Sequence, residues 1–241
     1  MNTWIGTSGF QYSEWKGSFY PHKLPVGKML PFYAERFPTT EINYTFRRIP
    51  SQKTIDGWSK ATPTRFKFSL KAPQQITHFA KLRDCADTLR HFYQAISALD
   101  TKRGPVLFQL PPTFKKDTPL LASFLDELPP EMPAAFEFRH PSWFDDEVLT
   151  ELKARYVALC IADDEKLSTP VVATADYGYL RLRCEDYKQS DIVRWSKVIR
   201  AQRNNWSDAF VYFKHEERGV GPKFAARMMK APGFAYRVSR K

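Results

Sequence analysis

The chain has 241 residues, 43% of them hydrophobic and 26% charged, which is close to the roughly 250 residues of one barrel domain and enough to bury a sizeable core. Its three cysteines are odd in number and lack metal-type spacing, which argues against a disulfide scaffold. No apolar stretch approaches the roughly 18 residues of a membrane span and no leader-like segment is present, so we expect a cytoplasmic protein without membrane association.

Eight segments with the two-residue alternation of β-strands follow one another along the chain. They comprise residues 3–9, 39–45, 65–72, 104–110, 134–140, 156–163, 178–184 and 209–215. One side of each segment is apolar, as with Phe136 and Phe138, and the other side becomes charged or polar toward the carboxyl end. Polar residues gathered at strand ends are typical of an active-site mouth.

Helix-length linkers separate these strands. Residues 84–99 place Leu89, Phe92 and Ile96 on one helical face, and residues 119–128 and 145–154 show similar spacing. An antiparallel sheet with one wet face would show the same strand alternation, but strands that alternate with helices favour a parallel sheet. The sequence therefore predicts an α/β fold, a single TIM-like (β/α)8 barrel with parallel strands over residues 1–241.

The first loop, residues 6–21, contains five aromatic residues among glycines and hydroxyl side chains. Tyr12 and Trp15 are candidates for stacking on a substrate, because aromatic rings offer large rigid surfaces. Aromatic loops also plug the ends of barrels. The sequence leaves both interpretations open.

Three carboxylates, Glu41, Glu137 and Asp163, stand near the ends of predicted strands and are candidates for general acid and base catalysis. With Asn43 they also form a weak candidate site for a divalent ion such as Mg²⁺ or Mn²⁺. The chain contains no recognisable nucleotide-cofactor motif. An internal ion-pair network, with Glu137 paired to Arg181 or Asp163 paired to Lys214, is the structural alternative.

Cationic side chains outnumber the carboxylates at the predicted mouth, which indicates an anionic, possibly phosphorylated substrate in our interpretation. Lys71, Arg139 and Arg181 are predicted to hold this anion, while Gln109 and Asn43 orient it. His78 is a candidate proton-transfer group. Lys71 is alternatively a Schiff-base lysine. Hydrolysis is the default reaction, although isomerase or lyase chemistry would use the same groups. The hypothesis that Glu137 is a general base predicts that Glu137→Gln leaves folding intact.

The net charge of +11 is concentrated at the carboxyl-terminal end, where residues 181–241 contain 15 Lys and Arg against 6 Asp and Glu. Within residues 190–206 a basic stripe repeats every three residues and consists of Arg194, Lys197, Arg200 and Arg203. Such a stripe is able to follow the phosphates of a nucleic acid. The alternative to an enzyme is therefore a nucleic-acid-binding protein, and a solvated outer helix explains the stripe equally well.

Several local patterns together resemble one family. They are the Gly6-Thr7-Ser8-Gly9 opening, Glu41-Ile42-Asn43-Tyr44, Leu107-Phe108-Gln109-Leu110-Pro111-Pro112, Glu137-Phe138-Arg139-His140-Pro141 and Tyr179-Leu180-Arg181-Leu182. The chain resembles the YecE-like family, domain of unknown function 72. The resemblance implies a TIM-like barrel and no established activity. The chain departs from the family pattern at Arg183-Cys184 and His215-Glu216, so we expect altered chemistry after strands seven and eight.

Overall fold

The computed structural model describes residues 1–165, 167–217, 219–232 and 234. Eight parallel strands form a closed barrel in chain order, with β8 paired to β1. The strands are β1 Asn2–Ser8, β2 Thr39–Ile42, β3 Lys67–Lys71, β4 Arg103–Gln109, β5 Ala134–Glu137, β6 Ala158–Asp163, β7 Tyr177–Leu182 and β8 Asp208–Phe213. The predicted (β/α)8-type barrel is confirmed.

Helices cover the outside of this barrel. They are α1 Met29–Ala34, α2 Gln52–Lys60, α3 Ala86–Ser97, α4 Thr118–Asp126, α5 Asp146–Ala154, α6 Gln189–Ala201 and α7 Val220–Met229. Short 3-10 helices occur at Ser13–Trp15, Val26–Lys28, Tyr44–Phe46, Asp100–Lys102 and Pro141–Trp143, and a π-helix at Gln75–Phe79. Helices α3, α4 and α5 confirm the three helical linkers predicted from apolar spacing. The described residues between β6 and β7 contain no helix.

Side-chain caps mark where several helices begin. Ser51 accepts a hydrogen bond from the backbone of Thr54 before α2, and Asp117 does the same for Leu120 before α4. Each cap satisfies a backbone N–H that has no partner inside the helix. The apolar faces that follow, such as Leu89, Phe92 and Ile96 of α3, are buried.

The core has two layers. The larger layer lies between the strands and the helices and includes Phe68, Phe108 and Phe136. The smaller layer fills the barrel interior with residues that include Trp4, Leu107, Tyr179, Phe210 and Tyr212. The barrel is thus a packed core with its functional surface restricted to one end, as is usual for this fold.

The buried phenol of Tyr212 crosses the barrel from β8. Its hydroxyl lies 2.8 Å from Thr39 Oγ1 of β2 and 2.8 Å from Ser69 Oγ of β3. Close strand packing nearby requires a glycine, because a Cβ at Gly6 would lie 2.1 Å from the carbonyl oxygen of Thr39. These contacts fix the lower interior beneath the polar mouth.

Seven of the eight strands end one to three residues before their predicted ends, and the difference is largest, three residues, in β2 and β5. β2 stops at Ile42, because Asn43 takes a helical conformation and starts the 3-10 helix Tyr44–Phe46. β5 stops at Glu137, so Arg139 lies in the following loop. Both side chains nevertheless remain at the carboxyl end of the barrel. None of the helices in the described ranges is both long enough and apolar enough to cross a membrane.

Candidate functional site

Arg181 of β7 lies fully buried between two carboxylates at the mouth of the barrel. Its Nη2 is 2.9 Å from Glu41 Oε1 of β2, and its Nη1 donates to Glu137 Oε2 of β5. Gln109 Oε1 is 3.4 Å from the same Nη1. The predicted ion pair between Glu137 and Arg181 is therefore confirmed. Because both terminal nitrogens are already engaged, Arg181 holds the two carboxylates in place, and the prediction that it binds the substrate anion is not supported by its geometry.

Glu41 receives donors on both oxygens. Tyr179 donates its hydroxyl to Oε2 at 2.7 Å, and Ser8 donates to Oε1, which Arg181 also contacts. Asn43 donates to the Ser8 hydroxyl at 2.9 Å. Burial and the Glu41 charge hold the pKa of Tyr179 well above its ordinary range, so its proton stays in place. The Glu41 carboxylate is thus fixed in direction and its acceptor sites are occupied.

Glu137 is surrounded by guanidinium groups. Arg139 Nε and Nη2 each lie 2.8 Å from Oε1, and Arg183 Nη1 lies 3.5 Å from the same oxygen. Burial alone would raise the pKa of Glu137, but Arg181, Arg139 and Arg183 lower it to about 2. A carboxylate of such low basicity accepts protons poorly near neutral pH. The prediction that Glu137 is a general base therefore conflicts with its surroundings.

Lys71 ends β3 beside this cluster without an acceptor of its own. Its Nζ lies 3.9 Å above the Phe46 ring, and within the described part of the chain it makes no hydrogen bond or ion pair. Burial lowers the pKa of Lys71 to about 8, assisted by Arg181 and Arg139 and opposed by Glu41 and Glu137. The neutral amine is therefore much more accessible near neutral pH than in an ordinary lysine.

His78 lies next to Lys71, in the π-helix that follows β3. Its Nδ1 is 2.9 Å from Thr77 Oγ1, and its ring meets the edge of Phe46 with centroids 4.9 Å apart. Burial lowers the pKa of His78, and the charges of Lys71 and Arg139 lower it further. Lys71 and His78 thus contact the same aromatic ring, and the neutral form of both side chains is favoured by their surroundings.

The rim of the mouth carries both cationic and acidic side chains, and four of the acidic ones, Glu185, Asp186, Glu216 and Glu217, line its larger cavity. The side chains of Arg139, Arg183 and Lys214 are 24%, 19% and 32% exposed. A cavity of about 260 Å³ opens between Glu137, Arg139 and Arg183, and a larger one of about 670 Å³ between Arg183 and Lys214. Asp164 and Glu216 contact Arg183 and Lys214 at 3.0 and 3.7 Å. The alternative ion pair of Asp163 with Lys214 is not the contact that the structure shows.

Asp163 does not join Glu41 and Glu137, so its predicted place at the mouth is wrong. The alternation of β6 turns Cys160 into the barrel and Ile161 toward the helices, and Asp163 follows Ile161. Its Oδ2 accepts hydrogen bonds from Tyr187 Oη and Trp195 Nε1, each at 2.7 Å. The two-residue alternation of β6, counted from its apolar residues, would have shown that the Asp163 side chain points away from the barrel interior.

The carboxylates also fail to form the predicted Mg²⁺ or Mn²⁺ site. Asp163 is on the outer side, and the Arg181 guanidinium lies between Glu41 and Glu137, where a cation would have to bind. Across the described ranges, no group of three or more His, Cys, Asp or Glu residues is arranged to hold a metal ion. The residues present do not fit a divalent ion.

The aromatic residues Tyr12 and Trp15 of the first loop are both held by hydrogen bonds to backbone carbonyls. Trp15 is completely buried, donates its indole N–H to the Glu216 carbonyl at 2.8 Å and packs against Tyr12 at 4.8 Å. Trp15 therefore plugs the barrel end and is not available for substrate stacking. Tyr12 donates to the Ser8 carbonyl at 3.0 Å and lines a cavity of about 370 Å³ together with Asn43.

The basic stripe lies on α6 and the turn beyond it. Trp195 and Ile199 are buried as predicted, while Arg194 packs on the Trp195 ring and lies 3.8 Å from Asp163. Lys197 and Arg203 are exposed, and Arg200 Nε donates to the Ser196 carbonyl at 3.3 Å. The stripe begins near the carboxyl end of β6 and continues toward the amino end of β8. It follows the outer wall away from the mouth.

Sequence analysis missed two contributors to the site. Tyr179 has the same strand parity as Arg181, which would have placed it inside the barrel near Glu41. Phe46 lies in the 3-10 helix after β2, and its contact with Lys71 has no signal in the local sequence. The first omission was avoidable, whereas the second required the tertiary structure.

A closed parallel barrel with a charged cluster at the carboxyl ends of its strands defines a TIM-barrel protein with a candidate site in the usual position. The model of the family described as "Protein of unknown function DUF72" matches residues 4–239. The chain belongs to this family, which confirms the resemblance drawn from its motifs.

Two proteins of the UPF0759 group are similar to this chain in sequence. UPF0759 protein YecE of Escherichia coli K12 is 37% identical over 113 residues, which cover 46% of this chain and 42% of YecE. The match thus spans less than half of YecE. UPF0759 protein YunF of Bacillus subtilis is 25% identical, with 97% of this chain and 95% of YunF covered.

Solved structures resemble the fold closely. A DUF72 family protein of Thermotoga maritima has a TM-score of 0.84 at 24% identity and covers 95% of this chain and 98% of its own. A DUF72 family protein of Enterococcus faecalis has a TM-score of 0.77 at 19% identity, covering 95% and 96%. At these identities the similarity establishes the fold.

Proposed function

We propose that this protein is an enzyme that binds a small anionic substrate, carrying a phosphate or carboxylate group, at the mouth of the barrel. The observation that supports the proposal is the cluster of cationic side chains there, which includes the amine of Lys71, unpaired within the residues that the structure describes. Five cationic side chains, those of Lys71, Arg139, Arg181, Arg183 and Lys214, surround the two buried carboxylates Glu41 and Glu137.

Asp164 pairs with Arg183 and Glu216 pairs with Lys214, and the two buried carboxylates do not offset the remaining positive charge of Lys71, Arg139 and Arg181. Arg181 already pairs with both, and Glu137 additionally pairs with Arg139. Lys71 remains without a counterion in the described ranges, and Arg183 and Lys214 reach the solvent-accessible cavities. Guanidinium groups match the oxygens of phosphate and carboxylate, and partial burial strengthens such contacts.

Each group of the site has a separate task under this proposal. Arg139, Arg183 and Lys214 bind the anion, and Arg181 keeps the cluster rigid through Glu41 and Glu137. Gln109 and Asn43 supply neutral polar contacts. Lys71 and His78 transfer protons: the pKa of Lys71 is lowered toward the neutral range, and the lowered pKa of His78 favours a neutral imidazole that is able to accept a proton. Hydrolase, isomerase and lyase reactions all need such a pair beside an anion site.

Inorganic phosphate is the probe for this proposal. We expect phosphate to raise the melting temperature of the protein and to bind in calorimetry with an affinity that falls as salt increases. The double variant Arg183→Gln with Lys214→Gln should bind phosphate at least tenfold more weakly. The matched control, Lys197→Gln with Arg203→Gln on the outer wall, should bind like the wild type. Equal weakening in both variants, or no binding in the wild type, would refute the proposal.

Nucleic-acid binding without catalysis is the second proposal, supported by the exposed Lys197 and Arg203 on the outer wall. Replacing Arg194, Lys197, Arg200 and Arg203 with alanine should then weaken duplex DNA binding strongly and reduce its salt dependence. Phosphate binding at the mouth should not change. If the wild type does not bind DNA at moderate salt, this second function is excluded.

A further inference from the structure

We propose that Lys71 is a nucleophile that forms an imine with the carbonyl group of an anionic aldehyde or ketone. The inference rests on the proposed anion site and specifies its substrate class. It is supported by the position of the Lys71 amine at the mouth, where it lies above the Phe46 ring. The neighbouring cations Arg139 and Arg181 already pair with Glu137 and Glu41.

The other shielded lysines are bound to acceptors and Lys71 is not. Lys102 Nζ donates to the carbonyls of Ser59 and Thr62 at 2.6 and 2.8 Å, and these contacts hold it in place. Lys214 Nζ lies 3.7 Å from Glu216. Within the described part of the chain, Lys71 Nζ makes no such contact and faces the ring of Phe46. Its lone pair is therefore available once a proton is lost.

The surroundings of Lys71 favour the neutral amine that attack requires. Burial removes solvation of the ammonium ion, and the positive charges of Arg181 and Arg139 repel it, so that the pKa falls to about 8. At pH 7.5 roughly a quarter of the molecules carry the free amine. Desolvation and neighbouring cations are the usual ways of activating a lysine for imine formation.

The reaction balances without any further reagent. The Lys71 nitrogen adds to the carbonyl carbon, and a proton moves from nitrogen to the carbonyl oxygen to give a carbinolamine. Loss of this hydroxyl with one proton releases water and forms the C=N bond. His78 is the proton carrier, because its ring contacts the same Phe46 side chain that Lys71 covers. The protonated imine then withdraws electrons from the adjacent carbon.

The anion site explains how a carbonyl compound would be held for attack. Arg139 and Arg183 lie on the neighbouring rim and contact the same Glu137 oxygen, so they flank one cavity. A substrate whose phosphate or carboxylate binds these groups would direct its carbonyl into the mouth, where Lys71 lies. Holding both reactants in one geometry supplies much of the rate enhancement.

The test is reductive trapping with two carbonyl probes. The full-length protein is incubated at pH 8 with pyruvate or dihydroxyacetone phosphate and sodium cyanoborohydride, digested, and analysed by mass spectrometry. We expect one probe to label the Lys71 peptide at least tenfold more than any other lysine peptide. Excess inorganic phosphate should reduce this labelling several-fold. Lys71→Arg should lose the label, and the surface control Lys197→Arg should keep it.

The outcomes separate the two proposals. If phosphate binds at the mouth but neither probe labels Lys71 above the exposed lysines, imine formation is refuted and the anion site stands. If phosphate does not bind at the mouth, the proposed function fails first. Circular dichroism of Lys71→Arg establishes that a lost label reflects the missing nucleophile and not an unfolded barrel.

Discussion

Glu137 contributes to this protein mainly as a buried counter-charge. It neutralises Arg181 and orients Arg139, with 1% of its side chain exposed. We therefore expect Glu137→Gln to destabilise the fold by about 3–5 kcal/mol, because it removes the buried charge that pairs with Arg181, Arg139 and Arg183. This reverses the expectation from the sequence that folding stays intact. Urea unfolding at pH 7 measures the loss, with the exposed Glu35→Gln as control. A change below about 0.5 kcal/mol would contradict this assignment.

The same residue predicts a pH dependence with a definite sign. Arginine partners outweigh burial and lower the pKa of Glu137 from 4.5 to about 2 in the folded protein. Its stabilising contribution is therefore complete above pH 4.5 and is lost as the pH falls toward 2. The shift is equivalent to about 3 kcal/mol. Unfolding measured between pH 6 and 3 should show the wild type losing more stability than Glu137→Gln.

Lys71 predicts the opposite kind of effect. Burial lowers its pKa from 10.5 to about 8, so protonated Lys71 destabilises the fold below pH 8, and this cost disappears as the pH rises toward 10.5. Lys71→Met should raise the melting temperature at pH 7 by about 2–4 °C, equivalent to about 1 kcal/mol. Lys197→Met, on the exposed face of α6, should leave it unchanged. A lower melting temperature for Lys71→Met would mean that the Lys71 ammonium group stabilises the folded protein, contrary to this prediction.

Among the elements, the first loop was the hardest to interpret from sequence. Its aromatic residues fit stacking and packing equally well, and only the burial of Trp15 and its hydrogen bond to Glu216 decide the matter. Trp15→Ala should cost about 3–5 kcal/mol, the usual range for deleting a buried aromatic side chain. Trp15→Phe should cost less, because it loses mainly the hydrogen bond. Chemical unfolding of both variants tests the order, and a near-neutral Trp15→Ala would show that the plug is dispensable.

Strand positions were predictable and strand ends were not. Alternation located every strand, but the turn at Asn43 and the outward direction of Asp163 depend on backbone dihedrals and on the partners Tyr187 and Trp195. These partners lie 24 and 32 residues away in the chain. Local periodicity carries no information about contacts over such separations.

On the scale of the whole molecule, the barrel and its polar end followed from the sequence, because alternating strands with helical linkers admit few topologies. The pairing inside the site did not follow. Candidate carboxylates and cations were identified, yet the sequence could not show that Arg181 would occupy the space between Glu41 and Glu137. Distances between strands decide whether such groups act as catalysts or as partners.

The pairing between strands β5 and β6 is short. It consists of Ala135 opposite Ala158 and Phe136 opposite Leu159. Thr174 supports this region through its hydroxyl, which accepts from Leu159 N and donates to Val157 O, each at 2.7 Å.

Thr174→Val should therefore cost about 1–3 kcal/mol and accelerate hydrogen exchange in β6, because two buried backbone groups lose their partner. Peptides from β7 and β8, which pair continuously from Tyr177 with Asp208 to Leu182 with Phe213, provide the internal control. Uniform acceleration in all strands would show that the barrel opens as one unit.

The guanidinium at position 181 also constrains the order in which this barrel can be completed. Glu41 and Glu137 belong to the second and fifth strands, and the cation that pairs with both belongs to the seventh. A partial barrel that closed without β7 would enclose two like charges in an apolar interior, which is strongly unfavourable. Premature closure is thereby discouraged. We therefore expect the residues of the candidate site to disfavour any barrel that closes without β7.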